Sequence, residues 1–135
     1  MIARVKGKEK EQAKEVAEKV VNAISNGSIW EIPNILDGMS NDWTIELIED
    51  VIKNYKSDNE LECFDKYGAT CNFNPKYQDG SKYEQENFYF YDDGSGFAYE
   101  YDLTTNGELN DLTLMLDFKY EDSNIKTFFD DIHVL

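Results

Sequence analysis

The side chains of this chain that are best suited to chemistry are acidic and fall between positions 92 and 117. They are Asp92, Asp93, Glu100, Asp102, Asp111 and Asp117. Clustered carboxylates suit a hard cation such as Ca²⁺, or a surface that carries Lys and Arg. An EF-hand loop needs oxygen ligands at every second position, whereas Asp92 is followed by Phe97 and Tyr99. The sequence therefore predicts no metal and no cofactor, and the six carboxylates are candidate contacts to a basic protein.

Tyrosines offer a second kind of chemistry. Tyr89, Tyr91, Tyr99 and Tyr101 could line a pocket and donate hydrogen bonds to a developing oxyanion. Where tyrosines are this frequent on a sheet, their rings more often belong to the core while their hydroxyls reach solvent. The nearest acid, Asp102, alternates out of phase with Tyr99 and Tyr101, which predicts that it lies on the opposite face.

The single histidine and the two cysteines do not form a recognisable catalytic or zinc site. His133 follows an apolar residue on a predicted strand, and we expect it to be exposed or hydrogen-bonded rather than a general base. Cys63 and Cys71 flank a predicted turn at Gly68, where a cross-strand disulfide is geometrically conceivable. In a reducing compartment we expect both to be free thiols.

The charge balance gives the clearest indication of function. The 135 residues carry a net charge of −15, with 41% hydrophobic and 14% aromatic residues, which excludes a disordered acidic tail. Residues 1–26 have a net charge of +2, so the remainder carries −17. Such a surface repels nucleic acid and anionic membranes and attracts basic partners, although acidity can also serve solubility alone.

The N-terminus has no apolar segment of a secretory signal, and no run approaches the ~18 apolar residues that span a bilayer. We therefore expect a cytoplasmic protein that does not bind membranes.

Period-2 alternation predicts antiparallel strands in the second half of the chain. The predicted strands are 61–67, 69–73, 86–92, 96–104, 110–120 and 125–134. Turn residues separate the later strands, notably Asp92–Gly96 and Thr105–Gly107. In the last strand, Phe128 and Phe129 are adjacent, as are Asp130 and Asp131, which predicts a bulge.

Period-3.6 patterns predict three helices before the strands, at 8–26, 29–37 and 42–55. Gly27 is the expected residue after the first helix, and Pro33 limits the second. The chain thus reads as one α+β domain, 1–135, with three N-terminal helices packed on a strongly bent antiparallel sheet of about six strands. The residues predicted to be buried are Val16, Val20, Ile24, Leu47, Val51, Ile52, Tyr99, Tyr101, Leu114, Leu116 and Phe118.

This order of elements resembles the nuclear transport factor 2-like fold, the cone shared with ketosteroid isomerase. The resemblance covers Lys8 to Leu135 and places a short strand of that family near 35–39. It implies an alternative function, as a small-molecule-binding or enzymatic protein with a tyrosine-lined pocket. A helix-plus-sheet sandwich with all helices on one face is the alternative fold.

In size, charge and build the chain also resembles the immunity proteins of bacterial polymorphic toxins, including those of contact-dependent growth inhibition. The resemblance implies a non-enzymatic inhibitor that neutralises a cognate toxin domain, which is often a basic nuclease. The six acidic residues would then contact Lys or Arg of the toxin. We expect a monomer or weak homodimer that binds neither nucleic acid nor membrane.

Overall fold

The computed structural model describes residues 1–75 and 77–134. In it, helices precede a long meander, which consists of four consecutive antiparallel strands. The helices are α1 (Glu9–Asn26), α2 (Ile32–Ile35, after a 3₁₀ turn at Ile29–Glu31) and α3 (Ile45–Asp58). The strands are β1 (Ile2–Ala3), β2 (Gly38–Met39), β3 (Glu86–Phe90), β4 (Gly96–Thr105), β5 (Glu108–Glu121) and β6 (Asn124–Val134). They form one curled sheet of order β1-β6-β5-β4-β3, with β2 also paired to β6. The predicted α+β fold of three helices and about six strands is confirmed.

The β4–β5 hairpin forms where the turn residues predict it. Asn106 and Gly107 both have positive φ (53° and 78°), as a tight turn between twisted strands requires. At the start of β4, Gly96 lies so close to β5 that an added Cβ would be 2.0 Å from the Phe118 carbonyl oxygen. Only glycine fits this approach, so the register of β4 on β5 is fixed at both ends.

The helices cover one face of the sheet, here called the inner face, and the core lies between them. Most of the residues predicted to be buried are buried, including Val20 of α1 and Tyr99, Leu114 and Phe118 of the meander. Gly27 follows α1 as its C-terminal cap, and its left-handed backbone (φ 74°) lets its N–H reach the carbonyls of the last turn. No helix within the described ranges has the length and apolar character needed to cross a membrane.

α3 differs from its prediction at both ends and in which side chains it buries, and it runs to Asp58 rather than 55. It begins at Ile45 rather than 42, because the Thr44 hydroxyl accepts the Leu47 N–H (3.2 Å) and caps it. Leu47 is 48% exposed, so its predicted burial is wrong, and Val51 is only partly buried. The buried side chains of α3 are Ile48, Ile52 and Tyr55, which follow one another at successive turns, and Leu47 lies beside that line.

The hairpin predicted over 61–67 and 69–73 does not form, and these residues are an irregular segment. Leu61, Phe64 and Tyr67 instead pack on the core. A spacing of three places side chains on opposite faces of a strand, so all three can reach one core only if the backbone is not extended. Cys63 and Cys71, which would have faced each other across the hairpin, are free.

Two weaker predictions are confirmed near β6. β2 lies within the predicted 35–39 interval and pairs parallel to β6 at Phe128 and Phe129. The predicted bulge is present, since Leu116 pairs with Phe129 while Met115 pairs with Asp131.

Replacing Leu116 with Ala should destabilise the protein by ~2–5 kcal/mol, because the side chain is 1% exposed and its loss leaves a cavity. Leu47→Ala is the matched control and should cost less than about 1 kcal/mol, since this leucine is half exposed. Urea unfolding measures both. Equal costs for the two variants would contradict the packing described here.

Candidate functional site: the acidic outer face of the sheet

The face of the sheet opposite the helices, here called the outer face, carries the acidic residues of the meander. The pairing of β3, β4, β5 and β6 places two rows of side chains on this outer face. The rows are Asn87–Glu100–Met115–Asp131 and Tyr89–Ala98–Asp117–Phe128. Each row lies between rows that point into the core, because side chains alternate along a strand. Glu100 and Asp117 are thus on the outer face, as predicted.

Three carboxylates lie close together where β5 and β6 meet on this face. Asp130 is in the β6 bulge, beside Asp131 and near Asp117. Partial burial raises the pKa of Asp130, and the carboxylates of Asp117 and Asp131 raise it further. A hydrogen bond from Asn41 (3.1 Å) and the charge of Lys119 oppose this shift without cancelling it. A cation from another molecule would therefore be stabilised here.

Aromatic rings border this cluster. Tyr89 is 51% exposed, and Tyr91 is exposed while its hydroxyl donates to Asp117 (2.8 Å). Lys119 lies over the Phe128 ring, 5.2 Å from its centroid, and 3.7 Å from Asp117. Exposed tyrosines beside carboxylates can contact both the stem and the charge of a Lys or Arg side chain.

Asp92, Asp93 and Asp102, which are also predicted to contact a partner, differ in accessibility. Asp92 and Asp93 lie at the exposed β3–β4 turn, where Asp93 accepts the Ser95 N–H (2.9 Å). Asp102 is on the opposite face to Tyr99, as predicted. It accepts hydrogen bonds from the hydroxyls of Tyr83 and Thr113. Tyr83 therefore covers Asp102, which leaves it less available to a partner than Glu100.

The carboxylate of Asp111 faces α3, so the prediction that it shares a face with Glu100 and Asp117 is wrong, while its contact with a partner stays a prediction. Its carboxylate accepts the hydroxyl of Tyr55 from α3 (2.5 Å), on the helix side of the sheet. A shift of register between Asp102 and Thr104 breaks the alternation that the prediction assumed. Burial raises the pKa of Tyr55 to about 12, and the hydrogen bond to Asp111 contributes to that shift.

Sequence reasoning missed Asp65, which fastens the irregular segment to the β4–β5 turn. Its carboxylate accepts the N–H groups of Asn106 and Gly107 and the hydroxyl of Thr104, each at 2.9 Å. Partial burial raises the pKa of Asp65, but these three hydrogen bonds outweigh that effect and lower it below the ordinary value. No sequence pattern predicts this role of Asp65, because it lies about forty positions before the Asn106-Gly107 turn that it binds.

Glu86 was missed as well, and it organises the tyrosines of the inner face. One of its carboxylate oxygens accepts the hydroxyls of both Tyr67 and Tyr99, and Lys14 is 3.8 Å from the other. Burial raises the pKa of Tyr99, and the hydrogen bond to Glu86 raises it further. The phenols are therefore donors held in the neutral form, and Tyr101 stacks on Tyr67.

The predicted tyrosine group is thus divided, since Tyr99 lies on the inner face while Tyr89 lies on the outer face. Of the surface pockets among the described residues, four are lined mainly by α1 with α2, by residues 74–75 and 77–82, by α1 with α3, and by 60–63 with 105–106. The tyrosines of the meander line none of these four.

His133 is hydrogen-bonded to Asp131 (2.9 Å), as expected of a structural histidine.

Among residues 1–75 and 77–134, no group of three or more His, Cys, Asp or Glu is arranged to hold a metal ion. Residues 21–135 match the family model described as "Domain of unknown function (DUF7668)". The chain belongs to this family. The matched part of this DUF7668 protein runs from within α1 to the end of the chain and contains the outer face. Comparisons with curated proteins and with solved structures gave no match.

Replacing Asp65 with Asn should destabilise the protein by about 1–3 kcal/mol near neutral pH. One carboxylate oxygen becomes an NH₂ group, which cannot accept the hydrogen bonds that the β4–β5 turn donates. A lowered pKa means that the ionised carboxylate stabilises the fold above the ordinary value of 3.8. This contribution is lost as the pH falls through the folded-state pKa, so the difference between wild type and variant should shrink in acid.

Urea unfolding at neutral and acidic pH measures this difference. Asp92→Asn is the control, since it removes the same charge from an exposed turn and should leave stability nearly unchanged. A difference for Asp65→Asn that stays constant down to acidic pH would contradict the assigned role.

Proposed function

We propose that this protein is a non-enzymatic inhibitor that binds a basic protein domain through its acidic outer face. The observation that carries the proposal is the group of Asp117, Asp130 and Asp131 where β5 and β6 meet; partial burial raises the pKa of Asp130, and the two neighbouring carboxylates raise it further. Like charges held together on a sheet cost stability. A docked Lys or Arg would reverse the sign of that interaction, so binding would relieve a repulsion present in the free protein.

The composition of the face supports a protein as the partner. Protein interfaces are enriched in tyrosine, and Tyr89 and Tyr91 are exposed beside Glu100 and Asp117. Because the sheet is curled and the helices cover its inner face, the outer face is open to a large ligand. A small-molecule function would instead call for a cavity beside Tyr99, and the four pockets described above are lined elsewhere.

The finer proposal is that the partner is a bacterial toxin domain and that this chain is its immunity protein. Residues 27–135 carry a net charge of −17, which would draw a basic toxin toward this part of the protein. Long-range attraction of this kind increases the association rate and makes it sensitive to salt. An immunity protein of this kind would act in the cytoplasm, where it meets an incoming toxin before the toxin reaches its substrate.

The test has two steps: the protein encoded by the neighbouring gene is first examined for a basic C-terminal domain, and that domain is then expressed in cells with or without this protein while growth is measured. We expect rescue by the wild type. Glu100→Lys combined with Asp130→Lys should abolish rescue and slow association of the purified proteins by about tenfold or more at low salt.

The matched control is Glu49→Lys combined with Asp50→Lys, which makes the same change of charge on the exposed side of α3. This variant should keep most of the rescue, because the charge lies on the helix side of the molecule. Equal loss in both variants would show that only net charge matters. Absence of rescue by the wild type would contradict the immunity function.

A further inference from the structure

The two edges of the sheet differ in how they are protected. On the β6 edge, β1 pairs at Asn124 and Ile125, and β2 pairs at Phe128 and Phe129. Between them, the Asp37 carboxylate accepts the N–H of Thr127 (2.8 Å). The rest of β6 has a bulge and adjacent aspartates, which discourage the addition of another strand. The β6 edge is therefore closed along its first half and blunted along its second.

β3 forms the other edge and, within the described residues, pairs only with β4. The N–H of Asp102 donates to the Gln85 carbonyl, and the N–H of Tyr91 donates to the Gly96 carbonyl, each at 3.0 Å. Hydrogen bonds to one neighbour alternate along an antiparallel strand, so the residues between point their peptide groups the other way. The residues whose N–H and C=O face the open edge are Glu86, Phe88 and Phe90.

Within the described residues, the open edge has few of the usual safeguards of an edge strand beyond its short length and the charge of Glu86. Residues 87–91 carry no charge and no proline, and no bulge interrupts their pairing with β4. Tyr89 and Phe90 are 51% and 46% exposed. Natural proteins leave few such edges bare, because a bare edge is a template for an added strand.

The charges that flank β3 favour a basic strand over a second copy of this chain at the open edge. A second copy of this chain, paired antiparallel about Phe88, would place Glu84 directly opposite Asp92 at both ends. Like charges in directly opposed positions are destabilising. The chain's net charge of −15 adds a general repulsion between copies. A basic segment avoids both costs and gains attraction from the same carboxylates.

We propose that an extended segment of the basic partner adds to β3 as a further strand. Its side chains alternate, with Lys or Arg toward Glu100 on the outer face and apolar residues toward Phe88 and Phe90 on the inner face. The inward positions are apolar because Lys10 lies over those two rings, 5.5 and 6.0 Å from their centroids. This inference rests on the proposed function and specifies how the partner is held.

The probe is a synthetic peptide of alternating Lys and Val, acetylated and amidated at its ends and somewhat longer than β3. Amide hydrogen exchange of the full chain is measured by NMR with and without saturating peptide. Exchange at Glu86, Phe88 and Phe90 should slow by at least about tenfold, because their N–H groups gain acceptors. Asn87 and Tyr89, which already face β4, should change little and act as internal controls. Unchanged exchange at the three edge residues with peptide bound overturns strand addition.

Two N-methylated forms of the same peptide provide a second test that leaves the protein unaltered. One is methylated on every Val nitrogen and the other on every Lys nitrogen. Only alternate residues of an added strand direct their N–H groups at its neighbour, so one form should bind at least about tenfold more weakly than the other. Equal affinities for the two methylated forms overturn the proposal.

The failure of strand addition can be told from failure of the proposed function. If both methylated peptides bind equally and Glu100→Gln weakens them, the acidic face binds cations without adding a strand, and only the present inference falls. If rescue of growth also fails, the proposed function falls with it. Slowed exchange at the edge residues by the toxin domain itself supports both.

Discussion

The core that β4 and β5 share with the helices is the constraint on which the rest of the structure depends. Phe97 and Phe118 stack across the two strands with centroids 4.8 Å apart, and Tyr99 meets Phe118 edge-on at 6.2 Å. A strand that buries every second side chain must present the others to the opposite face. Glu100 and Asp117 are on the outer face because their sequence neighbours are in the core. The hydrophobic core and the acidic face are therefore fixed by the same register.

The repulsion on that face is moderated mostly by neutral groups. The hydroxyls of Tyr83 and Tyr91 donate to Asp102 and Asp117, and among the described residues Lys119 alone pairs its positive charge with Asp117. A phenol satisfies a carboxylate oxygen without removing its charge. The local hydrogen bonds are thus made while the electric field of the face remains negative. A lysine in place of each phenol would have stabilised the free protein and weakened its attraction for a basic partner.

The acidic face and the open edge meet at β3. The side chain of Tyr89 lies on the outer face, while the peptide groups of Phe88 and Phe90 face away from the sheet. A partner that reached both would combine charge contacts, which act at long range, with main-chain hydrogen bonds, which act only in register. The opposite edge offers no such combination, since β1 and β2 already occupy the first half of β6.

The sequence by itself determined the helices, the meander and the side of the sheet on which Glu100 and Asp117 lie, because periodicity and turn residues act over a few neighbouring positions. Only the tertiary structure decided the rest. The 61–73 segment alternates like a hairpin, yet Phe64 is drawn into the core and Asp65 binds the β4–β5 turn. Asp111 left the outer face because a local shift of register turned it toward Tyr55. Such outcomes depend on contacts between distant positions, whose free energies no local pattern records.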